Sequence, residues 1–304
     1  MAEPRILALK IDVDTDRGTR AGVPRLVDLL RRHGAGATFL FSLGPDHTGR
    51  ALKRVFRSGF LKKVSRTSVI EHYGVRTLLY GTLLPGPDIG RRNADLMRSV
   101  RAAGYETGIH TYDHIKWQDY VADRDAVWTR REMMRAVARY ADIFGEPAAT
   151  HGAAGWQMND AAFRLTAELG FRYASDTRGT HPFLPVCDGD AIACAQLPTT
   201  LPTLDELIGR EGITQENVHL HLLELTRAPR ATGHVYTLHA ELEGQKLAPV
   251  FDALLAGWKQ QGHALVSLRD YAAAVVTGSL PRHRVVRGTV PGRSGTLAVQ
   301  GEAV

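Results

Sequence analysis

Residues 6–42 read ILALKIDVDTDRGTRAGVPRLVDLLRRHGAGATFLFS. The run Ile6–Val13 is almost entirely apolar, which predicts a buried strand. Apolar residues then recur at helical spacing over Val23–His33, where a proline is tolerated in the first turn. A second apolar run, Ala37–Ser42, predicts another buried strand. A strand, a helix and a strand in so short a stretch form a βα unit, which favours a parallel sheet.

The same alternation resumes after an interruption between Gly44 and Gly90. The further predicted helices are Asn93–Ala103, Thr129–Phe144, Asp160–Leu169 and Leu247–Gln261, and the further predicted strands are Glu106–His110, Ala148–Ala153, Tyr173–Ser175, Ala195–Pro198, Val235–Ala240 and Ala264–Ser267. About seven or eight such units in one chain favour a (β/α) barrel over an open doubly wound sheet. No GxGxxG follows the first strand, which disfavours a dinucleotide site.

The bulk properties limit the class of protein. The formal net charge is +6, and the only two cysteines, Cys187 and Cys194, are too few for a disulfide framework. The N-terminal residues lack the pattern of a signal peptide, and no apolar run approaches the ~20 residues that span a bilayer. We therefore expect a cytoplasmic protein whose basic charge favours anionic partners.

Two histidines lie at the end of the predicted strand Glu106–His110 and just after it. His110 and His114 are spaced so that one face of a helical turn would present both imidazoles to a single ion. Such pairs are more often surface or capping residues, and the spacing alone leaves that alternative open. A metal site built on this pair needs a third ligand, and a carboxylate suits zinc.

Two acids, Asp12 and Asp14, stand at the end of the first predicted strand. In an extended segment they point to the same side, so both can face the barrel axis. One acid can then bind the ion while the other accepts a proton from the attacking water. The alternative is that they cap the next turn or pair with Arg17 and Arg20.

A third histidine, His239, lies near the end of the predicted strand Val235–Ala240. A histidine in this place is often a satisfied core residue, which remains the alternative. In barrels, however, catalytic groups lie at the carboxyl ends of the strands, where His239 would meet Asp12 and His110. There it suits a general acid, since an amine leaving group needs a proton and imidazole titrates near neutral pH.

The segments IDVDT, HTYDH and YTLH, in this order, resemble the motifs of the NodB-type polysaccharide deacetylases, carbohydrate esterase family four. The resemblance extends over about Arg5–Ala274 and implies an α/β fold, a distorted and incomplete (β/α) barrel. It implies that Asp12 is the catalytic base, that Asp14, His110 and His114 hold a divalent metal, and that His239 is the general acid. Zinc is the expected ion, with cobalt, nickel and manganese as alternatives.

The resemblance also suggests supporting residues. Asp176, in the segment SDTRG, matches the family's acid that orients the catalytic histidine. Relatives often place an arginine after the aromatic residue that here is Trp156, and that arginine braces the base. This chain has Gln157 instead, and Arg178 is a candidate substitute.

Longer segments, among them SLGPDHTGR, HGAAGW and QLPTTLPTLDELIGR, resemble family members that deformylate 4-deoxy-4-formamido-L-arabinose linked through phosphate to undecaprenol. The implied reaction releases formate and a 4-amino sugar, a step in lipid A modification and polymyxin resistance. One alternative is an N-deacetylase of a peptidoglycan-like or other N-acetylated glycan, which the missing export signal disfavours. Another is a non-catalytic binding protein on the same scaffold.

An insertion at about 45–92 interrupts the predicted domain, residues 1–280. Within it, Asp46–Arg66 is basic and amphipathic, and its cations are Arg50, Lys53, Arg54, Arg57, Lys62, Lys63 and Arg66. Such a helix can lie on an anionic membrane, which fits a polyprenyl-phosphate substrate and a position on the cytoplasmic face of the inner membrane. An ordinary helix packed on the barrel is the alternative.

No nucleic-acid-binding motif accompanies these cations, so nucleic acid is not an expected partner. The sequence does not define the oligomeric state. The segment 281–304 is rich in Arg, Gly, Pro and Ser without clear periodicity, and we expect a disordered tail outside the site.

Overall fold

The computed structural model describes residues 5–51, 76–276 and 278–304. Its main sheet consists of eight parallel strands. Numbered in chain order, they are β1 (Arg5–Val13), β2 (Thr38–Ser42), β3 (Glu106–Thr111), β4 (Thr150–His151), β5 (Tyr173–Ala174), β8 (Ala195–Gln196), β9 (His234–His239) and β10 (His263–Val266). The order is β10-β1-β2-β3-β4-β5-β8, and β9 pairs with the opposite edge of β1.

Helices connect and cover the strands. They are α1 (Val23–His33), α2 (Ile89–Arg92), α3 (Ala94–Ala102), α4 (His114–Tyr120), α5 (Ala126–Phe144), α6 (Asp160–Glu168), α7 (Leu204–Leu207), α8 (Val218–Leu225), α9 (Ala248–Gln260) and α10 (Leu268–Val275). The helix predicted from apolar spacing at Val23–His33 is confirmed residue for residue, and it ends at Gly34, whose φ of 60° favours glycine. Helices α2, α4, α7, α8 and α10 were not predicted.

The barrel is nearly closed between β8 and β9, although no ladder joins these two strands in the described ranges. Beyond β8, Thr200 N donates to Val235 O at 3.0 Å, and the hydroxyls of Thr199 and Thr237 lie 2.7 Å apart. These contacts replace a continuous ladder. The predicted fold, a distorted and incomplete (β/α) barrel, is thus confirmed.

The prediction of a disordered tail at 281–304 is wrong. These residues form β11 (Arg282–Gly288) and β12 (Leu297–Ala303), an antiparallel hairpin. A second sheet of order β12-β11-β6-β7 includes it, with β6 (Leu184–Cys187) and β7 (Asp190–Ala191). The arginines of β11 are exposed, which gives the segment the polar composition of a disordered tail. The side chains of His283 and Val285, on the other face of the strand, are at least partly buried.

Most of the predicted basic helix lies outside the described residues, which include only 46–51 of it. There, Thr48–Ala51 forms a short 3₁₀ turn. On the far side of the gap, Leu78 is buried while Leu83 is 80% exposed at the tip of a loop. Throughout the described ranges, no helix has both the length and the apolar character needed to cross a bilayer.

Candidate active site

The mouth of the barrel brings the predicted site residues together at the carboxyl ends of three strands. Asp12 is the penultimate residue of β1, His110 is the penultimate residue of β3, and His239 ends β9. Asp12 and His239 are direct partners in the ladder between β1 and β9. Residues remote in sequence become neighbours because parallel strands end at the same edge.

Asp14, His110 and His114 form a cluster with the donor set of a metal site. Asp14 Oδ1 lies 3.2 Å from His110 Nε2 and 3.5 Å from His114 Nε2, and one ligand atom from each residue lies within 4.8 Å of the others. Asp14 Oδ1 is buried, and no described hydrogen-bond donor is aligned on it. Bonds of about 2.0–2.2 Å from each atom to one ion fit such separations.

The two histidines do not share a helical turn, so that part of the prediction is wrong. His110 belongs to β3, whereas His114 is the first residue of α4. Asp113 lies between the two histidines and is the N-cap of α4. Its Oδ1 accepts a hydrogen bond from Lys116 N at 3.1 Å. The change from strand to helix still brings the two imidazole centroids to 5.2 Å.

The backbone at Gly152 fixes the orientation of His110. His110 Nδ1 lies 2.6 Å from the Gly152 carbonyl oxygen, which can only accept a hydrogen bond. Nδ1 therefore carries the proton, and Nε2 turns its lone pair toward Asp14. A lone pair facing a carboxylate oxygen is unfavourable unless a proton or a cation lies between them, so the arrangement fits a divalent ion.

The electrostatics of the cluster agree with this geometry. Burial alone would raise the pKa of Asp14, but His114 and His110 hold that pKa well below its usual range. Burial would likewise lower the pKa of His110, but Asp12 and Asp14 raise it. The cluster therefore favours positive charge at its centre.

A lysine that the sequence reasoning missed stands beside Asp12. Lys10 is completely buried, and its Nζ lies 3.5 Å from Asp12 Oδ2 while it donates to Ser175 O at 3.0 Å. Lys10 and Asp12 are two residues apart on β1, so their side chains lie on the same face. Gly152 leaves room for the lysine, since a Cβ there would lie 3.1 Å from Lys10 Cε. Lys10 thus fills the place of a cationic brace for Asp12.

Replacing Lys10 by methionine is expected to destabilise the metal-free protein by about 3–5 kcal/mol, because the buried carboxylate of Asp12 loses its cation. Urea denaturation in the presence of a chelator measures this loss. The matched control is Lys116→Met, since the Lys116 side chain is 28% exposed and its Nζ lies 2.7 Å from Glu132 Oε1. Glu132 also contacts Arg131 and Arg135, so the control should lose less than about 1 kcal/mol. Equal losses in both variants would contradict the buried pairing.

Arg178, the sequence candidate for the brace, lies elsewhere. Its Nη1 donates to Glu206 Oε1 at 2.5 Å and its Nη2 to Leu201 O at 3.0 Å. Its guanidinium lies 4.9 Å from the Trp156 ring centroid. The side chain of Gln157 points to the C-terminal hairpin and donates to Thr296 O at 2.7 Å. The expectation that Arg178 braces Asp12 is therefore corrected in favour of Lys10.

Asp176 does not lie where the resemblance implied. Its Oδ1 accepts from His151 Nδ1 at 2.7 Å and from Ala153 N at 2.8 Å, and its Oδ2 accepts from Gln196 Nε2 at 3.0 Å. These bonds hold it against His151 rather than His239. Asp176 supports the turn that follows β4, and its assignment as the partner of His239 is wrong.

His239 is anchored through its backbone. His239 N donates to Glu243 Oε2 at 3.0 Å, and Tyr236 OH donates to Glu243 Oε1 at 3.0 Å. Burial raises the pKa of Glu243 to about 7, against the opposing effect of His239. The imidazole Nδ1 is buried and has no hydrogen-bond partner among the described residues.

Comparison with known proteins agrees with this architecture. The sequence profile described as polysaccharide deacetylase matches residues 5–174, more than half of the chain. The chain belongs to the polysaccharide deacetylase family.

Two curated relatives carry the same name. The chain is 35% identical over 98% of its length, and over 95% of the relative, to a protein of Shewanella sediminis named probable 4-deoxy-4-formamido-L-arabinose-phosphoundecaprenol deformylase ArnD. It is 30% identical to the protein of that name from Wigglesworthia glossinidia brevipalpis, over 93% of this chain and 98% of that one.

Solved structures of the polysaccharide deacetylase family share the fold. A polysaccharide deacetylase from Mycobacterium smegmatis superposes with a TM-score of 0.62 at 18% identity, covering 95% of this chain and 97% of that one. The carbohydrate esterase family four domain of a xylanase from the hindgut metagenome of Trinervitermes trinervoides gives 0.53 at 12% identity, covering 91% and 94%.

In this polysaccharide deacetylase a further buried acid, Glu241, supports Asp14 of the candidate metal cluster. Glu241 Oε1 accepts hydrogen bonds from Asp14 N at 3.1 Å, Thr15 N at 2.9 Å and Thr15 Oγ1 at 2.7 Å. Burial and the nearby Asp14 raise the pKa of Glu241 well above its usual value. The segment AELEG, directly after His239, carried the sequence signal for Glu241, because its acids follow a buried strand at the mouth of the barrel.

Proposed function

We propose that this chain is a metal-dependent hydrolase that removes the formyl group from 4-deoxy-4-formamido-L-arabinose carried on phosphoundecaprenol. The observation that carries the proposal is the likeness, over nearly the whole chain, to two proteins named as that deformylase. The products are formate and the 4-amino sugar lipid. Modification of lipid A with aminoarabinose, and with it polymyxin resistance, is the process that this reaction would serve.

Asp12 is the proposed base. Its carboxylate lies beside the metal cluster, with Oδ1 at 3.8 Å from His110 Nδ1, and Lys10 holds its other oxygen. Asp12 accepts the proton of the water that attacks the formyl carbon. The lysine keeps the carboxylate oriented until that proton arrives.

Asp14, His110 and His114 would hold the ion. A divalent ion bound there supplies a Lewis acid, which polarises the formyl carbonyl and acidifies water. One carboxylate and two imidazoles suit zinc, and cobalt, nickel or manganese compete for the same donors.

His239 is the proposed acid. The ladder between β1 and β9 places it directly beside Asp12, so the proton acceptor and the proton donor border one reaction space. As the C–N bond breaks, His239 gives its proton to the sugar nitrogen, which leaves as a neutral amine. Asp12 and His239 therefore complete a balanced hydrolysis, because one proton is taken from water and one is returned to nitrogen.

Formate release tests this function. The purified, metal-loaded protein is incubated in detergent with the formamido sugar on a polyprenyl phosphate, and formate is measured together with the free amine. We expect both products in equal amounts. The family match favours one competing activity, deacetylation of an N-acetylated glycan. Acetate release from a glycan without formate release from the lipid-linked sugar would reject the proposed substrate.

We also propose that the enzyme docks on an anionic membrane through the insertion at 45–92. The loop tip that follows the undescribed part exposes Leu83 and, less fully, Leu84, while Arg50 on the near side donates to the carbonyl of Gly81. Exposed leucines beside a basic segment are typical of surfaces that bind at the bilayer interface. This position suits a substrate whose polyprenyl tail lies in the membrane.

Leu83→Asp is expected to weaken binding to phosphatidylglycerol-containing liposomes several-fold, since a charge replaces an inserted side chain. Neutralising the seven cations of Asp46–Arg66 should have a similar or larger effect, at about 1 kcal/mol per cation near the surface. The matched control is Val127→Asp, because Val127 is 77% exposed on α5, outside the insertion. Co-sedimentation measures all three, and unchanged binding of both insertion variants would refute membrane docking.

A further inference from the structure

A pair of histidines lies beside the second sheet, where the loop after β5 meets the C-terminal hairpin, residues 282–303. His181 Nε2 lies 3.2 Å from His283 Nε2, and the two ring centroids are 5.0 Å apart. His283 is 9% exposed on β11, and His181 is partly buried. The pair therefore joins two segments that are 102 residues apart in the chain.

The backbone of β12 decides which nitrogen of His283 faces its partner. His283 Nδ1 lies 2.8 Å from Gly301 O, which can only accept a hydrogen bond. In the neutral imidazole Nδ1 therefore carries the proton, and Nε2 turns its lone pair toward His181. The ladder between β11 and β12 shifts its register between His283 and Val285, and an irregularity of this kind re-aims a side chain.

Two neighbours of His181 decide its tautomer in the same way. Gln300 Oε1 accepts from Thr180 N at 2.7 Å, so the amide Nε2 of Gln300 is the atom that lies 3.1 Å from His181 Nε2. An amide NH2 only donates, which makes His181 Nε2 an acceptor. Thr180 Oγ1 donates to Gln300 Oε1 at 3.2 Å and is left to accept from His181 Nδ1 at 2.9 Å. Both imidazoles thus present a lone pair at Nε2.

Two lone pairs that face each other across 3.2 Å repel unless a cation lies between them. That cation is either a proton shared by the pair or a metal ion. Burial, His283 and the nearby Arg230 lower the pKa of His181, which favours its neutral imidazole. The neutral imidazole is the form that binds metals.

The separation of the two nitrogens fits one ion. Bonds of about 2.0–2.1 Å from each Nε2 to a shared ion would span the 3.2 Å at an angle of about 100–106°, close to the tetrahedral value. No Asp, Glu or Cys of the described ranges joins the pair, so water would complete the coordination. Imidazole donors without a carboxylate or a thiolate suit zinc, copper and nickel.

We propose that His181 and His283 form a second metal site, which takes a divalent transition-metal ion and fastens the C-terminal hairpin to the loop after β5. The ion replaces the hydrogen bond from Gln300 to His181 Nε2. It binds more weakly than the ion of the mouth cluster, because two neutral imidazoles lack the carboxylate that Asp14 adds there. This site does not rest on the proposed function.

Equilibrium dialysis against zinc tests the proposal. Tag-free protein is dialysed over a range of zinc concentrations, and the ions bound per chain are counted by mass spectrometry. We expect the wild type to bind one ion tightly and a second ion more weakly. His283→Gln should keep the tight ion and lose the weaker one, whereas His114→Ala should weaken the tight ion and keep the other.

A second variant and a control separate ligation from folding. His181→Gln should lose the same weak ion, and it leaves the bond from His283 to Gly301 in place. The matched control is His221→Gln, which removes an exposed imidazole on α8 and should keep both ions. Saturating zinc should also raise the thermal midpoint of the wild type and of the control above that of His181→Gln, because an ion that binds only the folded state stabilises it.

Three results would overturn the inference. A wild type that binds only the tight ion would show that the pair shares a proton instead. Retention of the weaker ion in both His181→Gln and His283→Gln would place that ion elsewhere, and its loss from His221→Gln would show adventitious binding at the surface. Formate release has no part in these measurements, so they decide the second site whether or not the proposed function holds.

Discussion

Asp12→Asn is expected to retain the metal and to lose at least about 10³-fold in kcat for formate release, near the upper part of the range for general acid–base catalysis. Asparagine preserves the shape of the side chain but cannot accept a proton from water. The three atoms that would hold the ion belong to Asp14, His110 and His114, so the cluster keeps its donors. Steady-state kinetics and metal analysis by mass spectrometry on the same sample measure the two properties separately.

The control for this substitution is Asp28→Asn, which removes one carboxylate from the exposed face of α1. It should leave both rate and metal content unchanged. Wild-type turnover in Asp12→Asn would show that another group is the base. Loss of the ion in the same variant would show instead that Asp12 is a ligand.

His114→Ala is expected to give the second large effect, a loss of metal affinity greater than about 100-fold, since even supporting partners of ligands contribute 10–100-fold. Asp14 and His110 alone leave the ion with two protein donors. Activity at limiting metal should fall with the affinity and recover in part at high metal concentration. Competition with a chromogenic chelator measures the dissociation constant.

His47→Gln is the matched control for the loss of His114. The His47 imidazole contacts Asp113, the residue before His114, with Nδ1 2.6 Å from Asp113 Oδ2, but His47 is not a member of the triad. Its metal affinity should stay within a few-fold of the wild type. If His47→Gln released the ion as readily as His114→Ala, the ligand assignment would be wrong.

The parts of the fold that the sequence predicted are those with strong local patterns. The strand before Asp12 and the helix Val23–His33 can be predicted without tertiary information, because an apolar run and helical spacing are patterns within the local sequence. The hairpin at 282–303 was missed for the opposite reason. Its strands belong to a small sheet in which β12 is an edge strand, and they bury few side chains, so little apolar alternation marks them.

The predictions for the site also divide into those that had a local signal and those that did not. Ligand chemistry and strand ends sufficed to group Asp14 with His110 and His114, since only some residue types bind metals. The supporting contacts depend on which side chains meet across the barrel, and the sequence does not show this. The predicted partners of Asp176 and Arg178 were therefore wrong. Lys10 did carry a local signal, because a lysine within an apolar strand has to find a carboxylate when it is buried.

One residue without a side chain connects both halves of the reaction centre. The carbonyl of Gly152 sets the tautomer of His110, and Lys10, which pairs with Asp12, occupies the space beside its Cα. An added methyl group would lie 2.4 Å from Leu40 Cδ1 and would press on Lys10. Substitution of Gly152 would disturb the proposed metal site and the proposed base together, so no single compensating substitution could restore both. Position 152 should therefore be among the least replaceable in the chain, although it takes part in no chemistry.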